Sequence, residues 1–326
     1  DHFEQIGQKD KAIDLYKKAL AFYNNNPHAH AKLGAINYEN KNTDLALFNF
    51  AQAVQEKPND AHLHFNLGLS FQQKEQWTEA AEQYTKAVEL DPHHIKAYLY
   101  ASAAYEKLNQ YEKAISILEQ GIINTPENFD LQHRLGNFYR HVDRLEDAII
   151  PYQKAIAIQP DNIHVMMDLA NILNMVNHNE ESLEMYQKIL EKNPNVISAL
   201  YNFGFTLKKR DKLDRALEIY EQVLSKKPDY APVHFSLSSI YLAQGNFEKG
   251  WDEYEWRWKN YGESDRKFNL PVWNGIDLSG KQLLIYAEQG LGDTLQFIRY
   301  AKLLKEKYPT VRIIFETQPA LTEILK

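Results

Sequence analysis

The sequence lacks several features that would point to common functional classes. None of its 326 residues is cysteine, which excludes a disulfide framework and a thiolate metal site. No apolar run reaches about 18 residues, the length that indicates a membrane-spanning helix. The chain does not begin with Met, and its first residues show no signal-peptide pattern. A chain without cysteine suits a reducing compartment, so we expect a cytoplasmic protein.

The sequence also lacks a strong charge of one sign. Its 37 Lys and Arg residues and 44 Asp and Glu residues leave a net charge of −7, which is not typical of a nucleic-acid-binding protein. Histidines two residues apart, such as His28 and His30, face different ways on a helix. We therefore expect no nucleic-acid partner and no metal site, and we make no prediction of the oligomeric state.

Proline recurs at a fixed interval along most of the chain. Six prolines each stand 34 residues from the next, at Pro58, Pro92, Pro126, Pro160, Pro194 and Pro228. Proline cannot continue a helix and restricts the residue before it, so each of these positions predicts a turn. A fixed period of this size is the signature of a repeat array, in which each unit packs against its neighbours.

The unit at residues 61–94 shows the repeat most clearly. Its repeat positions 7, 8, 11, 20, 24, 27 and 32 are Leu67, Gly68, Phe71, Ala80, Tyr84, Ala87 and Pro92. Small residues at positions 8 and 20 let two helices cross closely, and the large residues fill the space around the crossing. This unit resembles the tetratricopeptide repeat (TPR), a pair of antiparallel helices called A and B. The resemblance implies an all-α, superhelical TPR solenoid.

The repeat register divides the chain into an array and a different C-terminal segment. We predict a TPR array over residues 1–264, in which 1–26 are a partial first repeat whose start lies upstream. Complete repeats start at residues 27, 61, 95, 129, 163 and 197, and a degenerate last repeat occupies 231–264. The last repeat holds three tryptophans, and terminal repeats are commonly atypical. A linker at 265–280 follows.

Residues 281–326 change from helical repeats to alternating strands and helices. We predict a buried strand at 282–287, a helix at 294–308, a second strand at 311–316 and a last helix after Pro319. Asp293 is a predicted N-cap, with Gln296 completing a capping box. This order is the opening of a parallel α/β sheet, but two strands are too few to complete one. We therefore expect the incomplete start of a Rossmann-like domain.

The first candidate site is the concave groove, which in TPR proteins is lined mainly by positions 2, 5, 6, 9, 12 and 13 of the A helices. Asn66 and Asn202 occupy position 6, and Asn137 and Asn171 occupy position 9. An amide both donates and accepts, so a row of amides can hold the backbone of an extended peptide. The row partially resembles the asparagine ladder of O-linked N-acetylglucosamine transferase. The alternative is that these polar residues simply fill a solvated inner face.

Basic and aromatic residues share the groove positions with the asparagines. The further predicted contact residues are Tyr100, His133, Arg134, Arg140, Tyr201, Phe205 and Lys208. Aromatic and arginine side chains are common binding hot spots, so this set suits an acidic or mixed peptide. The alternative is that the aromatics pack between repeats and the charges are ordinary surface. No unit has Lys at position 5, so the clamp that TPR domains use for chaperone C-termini is not expected.

The second candidate site is the loop with Gly290, Gly292 and Asp293, which follows the first predicted strand. Glycines let a backbone approach a ligand, and a helix N-terminus favours anions, although a strand-to-helix turn also needs glycine for structural reasons. The stretches Pro271-Val272-Trp273-Asn274-Gly275 and Ala287-Glu288-Gln289-Gly290-Leu291-Gly292-Asp293-Thr294 resemble the junction in bacterial TPR proteins with a C-terminal glycosyltransferase-like domain. The pair Gly292-Asp293 before an amphipathic helix is also similar to the opening of heptosyltransferase-type enzymes.

This second resemblance implies a catalytic role for one residue. It makes Asp293 a candidate base for an acceptor hydroxyl. It implies no cofactor in this chain and a sugar nucleotide in a full-length protein. The sequence departs from the family pattern because no proline stands six residues after Asp293 and the donor-binding half is absent. We predict a protein-binding scaffold. The alternative is that the chain is the substrate-recognition part of a glycosyltransferase. In that case we expect this chain alone to transfer no sugar.

Overall fold

The computed structural model describes residues 9–260, 270–288 and 290–325. The chain divides into two compact units, Asp1–Tyr261 and Gly262–Lys326. Three predicted features lie outside the described residues: the first eight residues of the partial repeat, the end of the last repeat at 261–264, and the first part of the linker at 265–269.

The first unit consists of helices that follow one another in pairs. They are α1 (Lys9–Phe22), α2 (Pro27–Glu39), α3 (Thr43–Glu56), α4 (Ala61–Gln73), α5 (Trp77–Leu90), α6 (Ile95–Lys107), α7 (Tyr111–Asn124), α8 (Phe129–His141), α9 (Leu145–Ile158), α10 (Ile163–Met175), α11 (Asn179–Lys192), α12 (Ile197–Lys209), α13 (Leu213–Lys226), α14 (Ala231–Ala243), α15 (Phe247–Tyr254) and α16 (Arg257–Asn260). The even-numbered helices from α2 to α14 are the A helices. They begin at residues 27, 61, 95, 129, 163, 197 and 231, and each repeat is named by that first residue.

The local sequence explains where the A helices begin and end. Asp60 accepts hydrogen bonds from the first backbone N–H groups of α4, and Asn128 and Asn162 cap α8 and α10 in the same way. A residue in the left-handed region follows each A helix from α2 to α14, with φ between 55° and 66° in six repeats and 77° at Gly245. The six are Lys41, Glu75, Asn109, Asp143, Asn177 and Asp211. This conformation ends the A helix and turns the chain into helix B.

The two helices of a repeat cross at the small residue predicted for position 8. A Cβ atom on Gly68 would stand 2.7 Å from Cε1 of Tyr84, and one on Gly136 would stand 2.7 Å from Cε1 of Tyr152. Both distances are well inside van der Waals contact, so at Gly68 and Gly136 the missing side chain lets the ring lie against the A helix. Among the described residues, the buried side chains form clusters that pass from repeat to repeat, as expected of a solenoid.

The side chain at position 4 of several A helices links a repeat to the turn before it. His64 Nε2 donates to the carbonyl oxygen of Pro58 over 2.9 Å, and its Nδ1 lies 2.8 Å from Oε1 of Gln83. His234 contacts Pro228 in the same way, over 2.7 Å. The two ring nitrogens of His64 therefore join α4 to the preceding turn and to α5.

The last repeat departs from the others in helix B. Helix α15 has 8 residues where other B helices have 14, and the short helix α16 follows it. The ring of Trp256 stacks on His234 with centroids 3.8 Å apart and planes 8° apart. The guanidinium of Arg257 lies 4.6 Å from the Tyr254 ring and 4.5 Å from the Trp258 ring. Trp256 therefore covers the position 4 histidine of this repeat.

The second unit contains two strands that pair in parallel. Its elements are β1 (Gln282–Tyr286), α17 (Leu291–Phe297), α18 (Arg299–Lys307), β2 (Arg312–Glu316) and a 3-10 turn (Pro319–Leu321). Leu283 stands opposite Ile313 in the register. A parallel pair with helices between its strands is what the start of a Rossmann-like domain contains, and the assignment beyond this pair stays a prediction.

The structure corrects the predicted start of the first helix in this unit. Helix α17 begins at Leu291, and its N-cap is Gly290, whose backbone is extended. Asp293 is therefore the third residue of the helix, so its prediction as the N-cap was wrong. The physical reason is that Leu291 and Gly292 already have helical backbones, and Gly290 meets the conformational demand of an N-cap without a side chain.

Three other details of this unit also differ from the prediction. The helix predicted at 294–308 is interrupted at Ile298, where the Arg299 side chain donates to the carbonyl oxygen of Gln296. The last helix is only a 3-10 turn, closed by a bond from the N–H of Leu321 to the carbonyl of Gln318. The first strand was predicted to be buried, but both strands consist of half-buried and exposed residues, because only two strands pair among the described residues.

Candidate functional site

All eleven groove residues predicted from the sequence lie on A helices, and several contact the next A helix directly. The rings of Phe65 and Tyr100 are 5.5 Å apart, and Nδ2 of Asn202 donates to Oδ1 of Asn171 over 2.8 Å. Side chains at positions 5, 6, 9 and 12 of successive A helices therefore form a continuous surface, which we call the A-helix face.

The N-terminal part of the A-helix face, in repeats 27, 61 and 95, is aromatic. The Phe65 ring lies 5.6 Å from Tyr84 and 4.8 Å from His94, and Tyr100 lies 5.6 Å from Tyr84. Burial raises the pKa of Tyr84, and the neighbouring Tyr38 and Tyr100 raise it further. Tyr100 is still 36% exposed. The aromatic rings thus pack between repeats, and one of them also remains accessible.

The central part, in repeats 129 and 163, is polar, and its charged groups are paired. His133 Nε2 donates to Oδ2 of Asp168 over 3.2 Å, and Arg140 donates to Oδ1 of the same residue over 2.7 Å. Burial alone would raise the pKa of Asp168, but the His133 hydrogen bond and the Arg140 charge outweigh burial and lower that pKa. Arg134 forms an ion pair with Glu106 over 3.0 Å. The chain's own carboxylates therefore neutralise much of the positive charge predicted to attract a peptide.

The asparagines of the central part accept hydrogen bonds from tyrosines beneath them. The hydroxyl of Tyr152 donates to Oδ1 of Asn137 over 2.9 Å, and the hydroxyl of Tyr186 donates to Oδ1 of Asn171 over 2.7 Å. Asn202 also donates to the Asn171 oxygen. The core thus fixes the orientation of these amides and occupies their oxygens.

The link between these tyrosines and asparagines was not predicted, although the sequence contains a signal for it. A tyrosine at position 24 reaches position 9 or 12 of its own repeat. In repeat 61 position 9 is Leu69, which cannot accept, and Tyr84 donates to Gln72 at position 12 over 2.7 Å. The predicted contact residue Asn66 is half-buried at position 6 of the same A helix.

The C-terminal part, in repeats 197 and 231, combines aromatic rings with one cation. The Tyr201 ring lies 6.3 Å from both Phe205 and Tyr220, and Phe205 is 38% exposed. Lys208 Nζ lies 5.4 Å from the Phe205 ring and donates to Oγ of Ser239 over 3.1 Å. Burial lowers the pKa of Lys208, and within residues 9–260 no carboxylate forms an ion pair with it.

Tyr220 lacks the acceptor that the equivalent tyrosines have. Its side chain is fully buried, at 0% exposure, and position 9 of its repeat is Phe205. Across the described residues its hydroxyl has no hydrogen-bond partner of good geometry, although the Ser236 hydroxyl is near. Burial raises the pKa of Tyr220, and Ser236 offsets part of that rise. The Tyr220 hydroxyl therefore lacks the asparagine acceptor that the hydroxyls of Tyr152 and Tyr186 have.

The three predicted residues of the second candidate site lie at the start of α17. A Cβ atom on Gly290 would stand 3.4 Å from Oδ2 of Asp293, whereas one on Gly292 would meet open space. The Asp293 side chain is exposed. The sequence from 290 to 293 holds no cation for a diphosphate, and α17 has only 7 residues. These residues by themselves do not fit a sugar nucleotide.

Two further expectations concerned metals and membranes. In the described part of the chain, no three or more His, Cys, Asp or Glu side chains come together in an arrangement that holds a metal ion. Of the helices described, none combines the length and the apolar character that crossing a bilayer requires.

Sequence comparisons identify the repeats. Models of the tetratricopeptide repeat match residues 101–163, 185–218 and 207–250, and the model of anaphase-promoting complex, cyclosome, subunit 3 matches residues 39–121. Protein FlbA of Caulobacter vibrioides is 41% identical over 71 residues, which are 21% of this chain and 12% of that protein. The chain thus matches only a small part of the length of this curated relative.

Several solved structures match this chain. The C-terminal part of a TPR repeat-containing protein from Cytophaga hutchinsonii matches with a TM-score of 0.58 and 17% identity, over 70% of this chain and 94% of that chain. YrrB, a TPR protein with an unusual peptide-binding site, matches with a TM-score of 0.49 and 24% identity, over 56% and 95% of the two chains. MamA matches with a TM-score of 0.46 and 22% identity, over 52% and 92%. The repeat matches and the Cytophaga structure agree with the helix pairs described above, so this chain contains tetratricopeptide repeats that form a mostly helical solenoid.

Proposed function

We propose that the A-helix face binds an extended segment of a partner protein, so that the chain acts as a protein-binding scaffold. The observation that carries this proposal is the continuity of the face, on which side chains of successive A helices contact one another. At either end an aromatic ring remains accessible, Tyr100 at 36% and Phe205 at 38% exposure. Exposed aromatic rings beside arginines are typical binding anchors, and a solenoid lets one segment contact each repeat in turn.

The central part of the face supports the proposal because its side chains are already held in place. Tyrosine hydroxyls fix Asn137 and Asn171, so these amides lose little conformational freedom when a partner binds. Their oxygens accept from the tyrosines, and their nitrogens are therefore what they offer to the carbonyl groups of a bound segment. The proposed contact is a set of amide donors between two aromatic anchors.

Phage display tests this proposal. A random peptide library is selected on the purified chain of residues 1–326. Selected peptides are expected to bind about tenfold more weakly to Phe205→Ala, because an anchor ring is lost. The matched control is Phe48→Ala, which removes a ring that is 58% exposed on a B helix and should change affinity less than about twofold. Failure to select any peptide, or equal losses in the two variants, would contradict the proposal.

We also propose, from the resemblance of residues 271–294, that in a longer protein this chain selects the acceptor for sugar transfer from a sugar nucleotide. The specific observation in its favour is the parallel pairing of β1 with β2, because ligands of open parallel sheets bind beyond the carboxyl ends of the strands. Gly290, Gly292 and Asp293 follow that end of β1, and Asp293 is the proposed base. Residues 1–326 alone should turn over none of a panel of nucleotide sugars. Turnover that Asp293→Ala abolishes would show that this chain is itself an enzyme.

A further inference from the structure

The C-terminal end of the A-helix face contains a cation that the described part of the chain does not neutralise. Lys208 is half-buried, and its ammonium group donates to Ser239 over 3.1 Å but forms no ion pair within residues 9–260. Partial removal of a cation from water costs free energy unless an anion compensates. The site therefore has an electrostatic requirement that a ligand can meet.

The repeat register shows which group is missing. Arg140 and Lys208 both stand at position 12 of their repeats. The partner of Arg140 is Asp168, at position 6 of the next repeat, with 2.7 Å between Nη1 and Oδ1. At the equivalent position after Lys208 the sequence has Ser236, which is buried and carries no charge. The C-terminal part thus retains the cation of this pair and has a smaller, neutral residue in place of the carboxylate.

The hydroxyl of Tyr220 also distinguishes repeat 197 from its neighbours. It is fully buried and has no hydrogen-bond partner of good geometry across the described residues. In repeat 61 the equivalent hydroxyl, on Tyr84, donates to Gln72 at position 12, which is the position of Lys208. In repeats 129 and 163 the equivalent hydroxyls reach position 9, which in repeat 197 is Phe205. Neither Lys208 nor Phe205 can accept this bond, so the register leaves the Tyr220 hydroxyl without its usual acceptor.

We propose that Lys208 binds the side-chain carboxylate of an Asp or Glu residue in the partner segment. Resting on the function proposed above, this inference assigns the chemistry of one contact in it. The bound carboxylate takes the role that Asp168 has toward Arg140 and accepts from Lys208 Nζ. The rings of Tyr201 and Phe205 then contact an apolar residue beside the acidic one.

The same phage selection on residues 1–326 tests the inference, with sequencing of the selected peptides. They are expected to be enriched in Asp or Glu next to an apolar residue. A selected peptide and its Glu→Gln version are then compared by fluorescence anisotropy at low salt. The loss of the carboxylate is expected to weaken binding to the wild type about tenfold, the size typical of a charge-assisted contact.

Variants of the chain locate the contact. On Lys208→Met the Glu and Gln peptides should differ by less than about twofold, whereas Lys188→Met, which removes an exposed lysine from a B helix, should keep the tenfold difference. Ser236→Asp supplies the missing carboxylate from within the chain and should weaken the Glu peptide more than Ser236→Asn does. The Lys208 comparison remains decisive if the buried Ser236 does not tolerate substitution.

The possible results separate the inference from the function on which it rests. Selected peptides without acidic enrichment, or a Glu-to-Gln difference that persists on Lys208→Met, would overturn the carboxylate site and leave the scaffold function standing. A selection that yields no peptide at all would overturn both.

Discussion

Repeats 129 and 163 and repeats 197 and 231 have A helices of the same length but differ in surface chemistry. A Cβ atom on Gly136 would stand 2.7 Å from the Tyr152 ring, and one on Gly204 would stand 2.7 Å from the Tyr220 ring, so the helix crossings of repeats 129 and 197 are alike. On the A-helix face, however, the earlier pair holds an aspartate in an ion pair, whereas the later pair holds Lys208, which forms no ion pair within the described residues. The comparison teaches that packing constrains positions 8 and 24, whereas positions 6 and 9 are free to carry function.

The two parts of the face also differ in how the core supports them. In the earlier pair the hydroxyls of Tyr152 and Tyr186 are satisfied by asparagines, so the polar groups of the face and the core depend on one another. In the later pair Phe205 stands where an asparagine would accept, and the Tyr220 hydroxyl has no hydrogen-bond partner of good geometry among the residues described. A satisfied network orders a surface, whereas an unsatisfied buried group costs free energy.

The largest predicted effect tests what the two parts share. Gly136→Leu and Gly204→Leu should each destabilise the array by about 3 kcal/mol, because any side chain meets a tyrosine ring. Thermal unfolding followed by circular dichroism measures the loss. Lys188→Leu, which adds an apolar side chain at an exposed position, is the control and should change little. Clearly unequal losses at the two glycines would show that the crossings differ.

The fold was predictable to the extent that it is local and periodic. The interval between prolines marks the turn before six of the A helices, and the A helices begin 34 residues apart because each helix pair closes within that distance. The start of α17 was not predictable in this way. Gly290 and Asp293 are both acceptable N-caps by residue type, and the choice depends on backbone conformation that no spacing rule specifies.

The next prediction removes the charge pairing that distinguishes the central part. Asp168→Asn should destabilise the array by about 1.5 kcal/mol near neutral pH, because His133 and Arg140 lose a charged acceptor. The Asp168 pKa is lowered in the folded chain, so its contribution is present above the ordinary value of about 4 and is lost as pH falls through the folded value. Urea unfolding of both proteins should therefore show a difference in stability that shrinks below about pH 4.

Ser236→Asn is the matched control for this experiment in the C-terminal part. It places the same amide at the same repeat position, where no charge was paired, and should give a difference that does not shrink in acid. A difference for Asp168→Asn that stays constant down to about pH 2 would mean that the ion pairs with His133 and Arg140 do not stabilise the fold.

The residues of the A-helix face could be named from the sequence because their positions recur with the repeat. The hydrogen-bond and ion-pair partners of these residues within the chain could not be named in this way. Arg140 reaches Asp168 across 28 residues, and Tyr186 reaches Asn171 across 15 residues, and both contacts depend on side-chain directions that the periodic pattern leaves open. The sequence therefore predicts which surface is offered to a partner, but the structure is needed to tell which of its polar groups are already in use.

The smallest predicted effect isolates a single hydroxyl group in each part. Tyr186→Phe should destabilise the array by about 1 kcal/mol, because the Asn171 oxygen loses a donor at 2.7 Å. Tyr220→Phe should raise stability by up to about 1 kcal/mol, since its hydroxyl has no partner of good geometry among the described residues and a buried unsatisfied group costs free energy. Both substitutions remove the same atom from a fully buried ring, so each is the control for the other in urea unfolding. Equal losses would mean that the Tyr220 hydroxyl is satisfied within the chain, for example by Ser236.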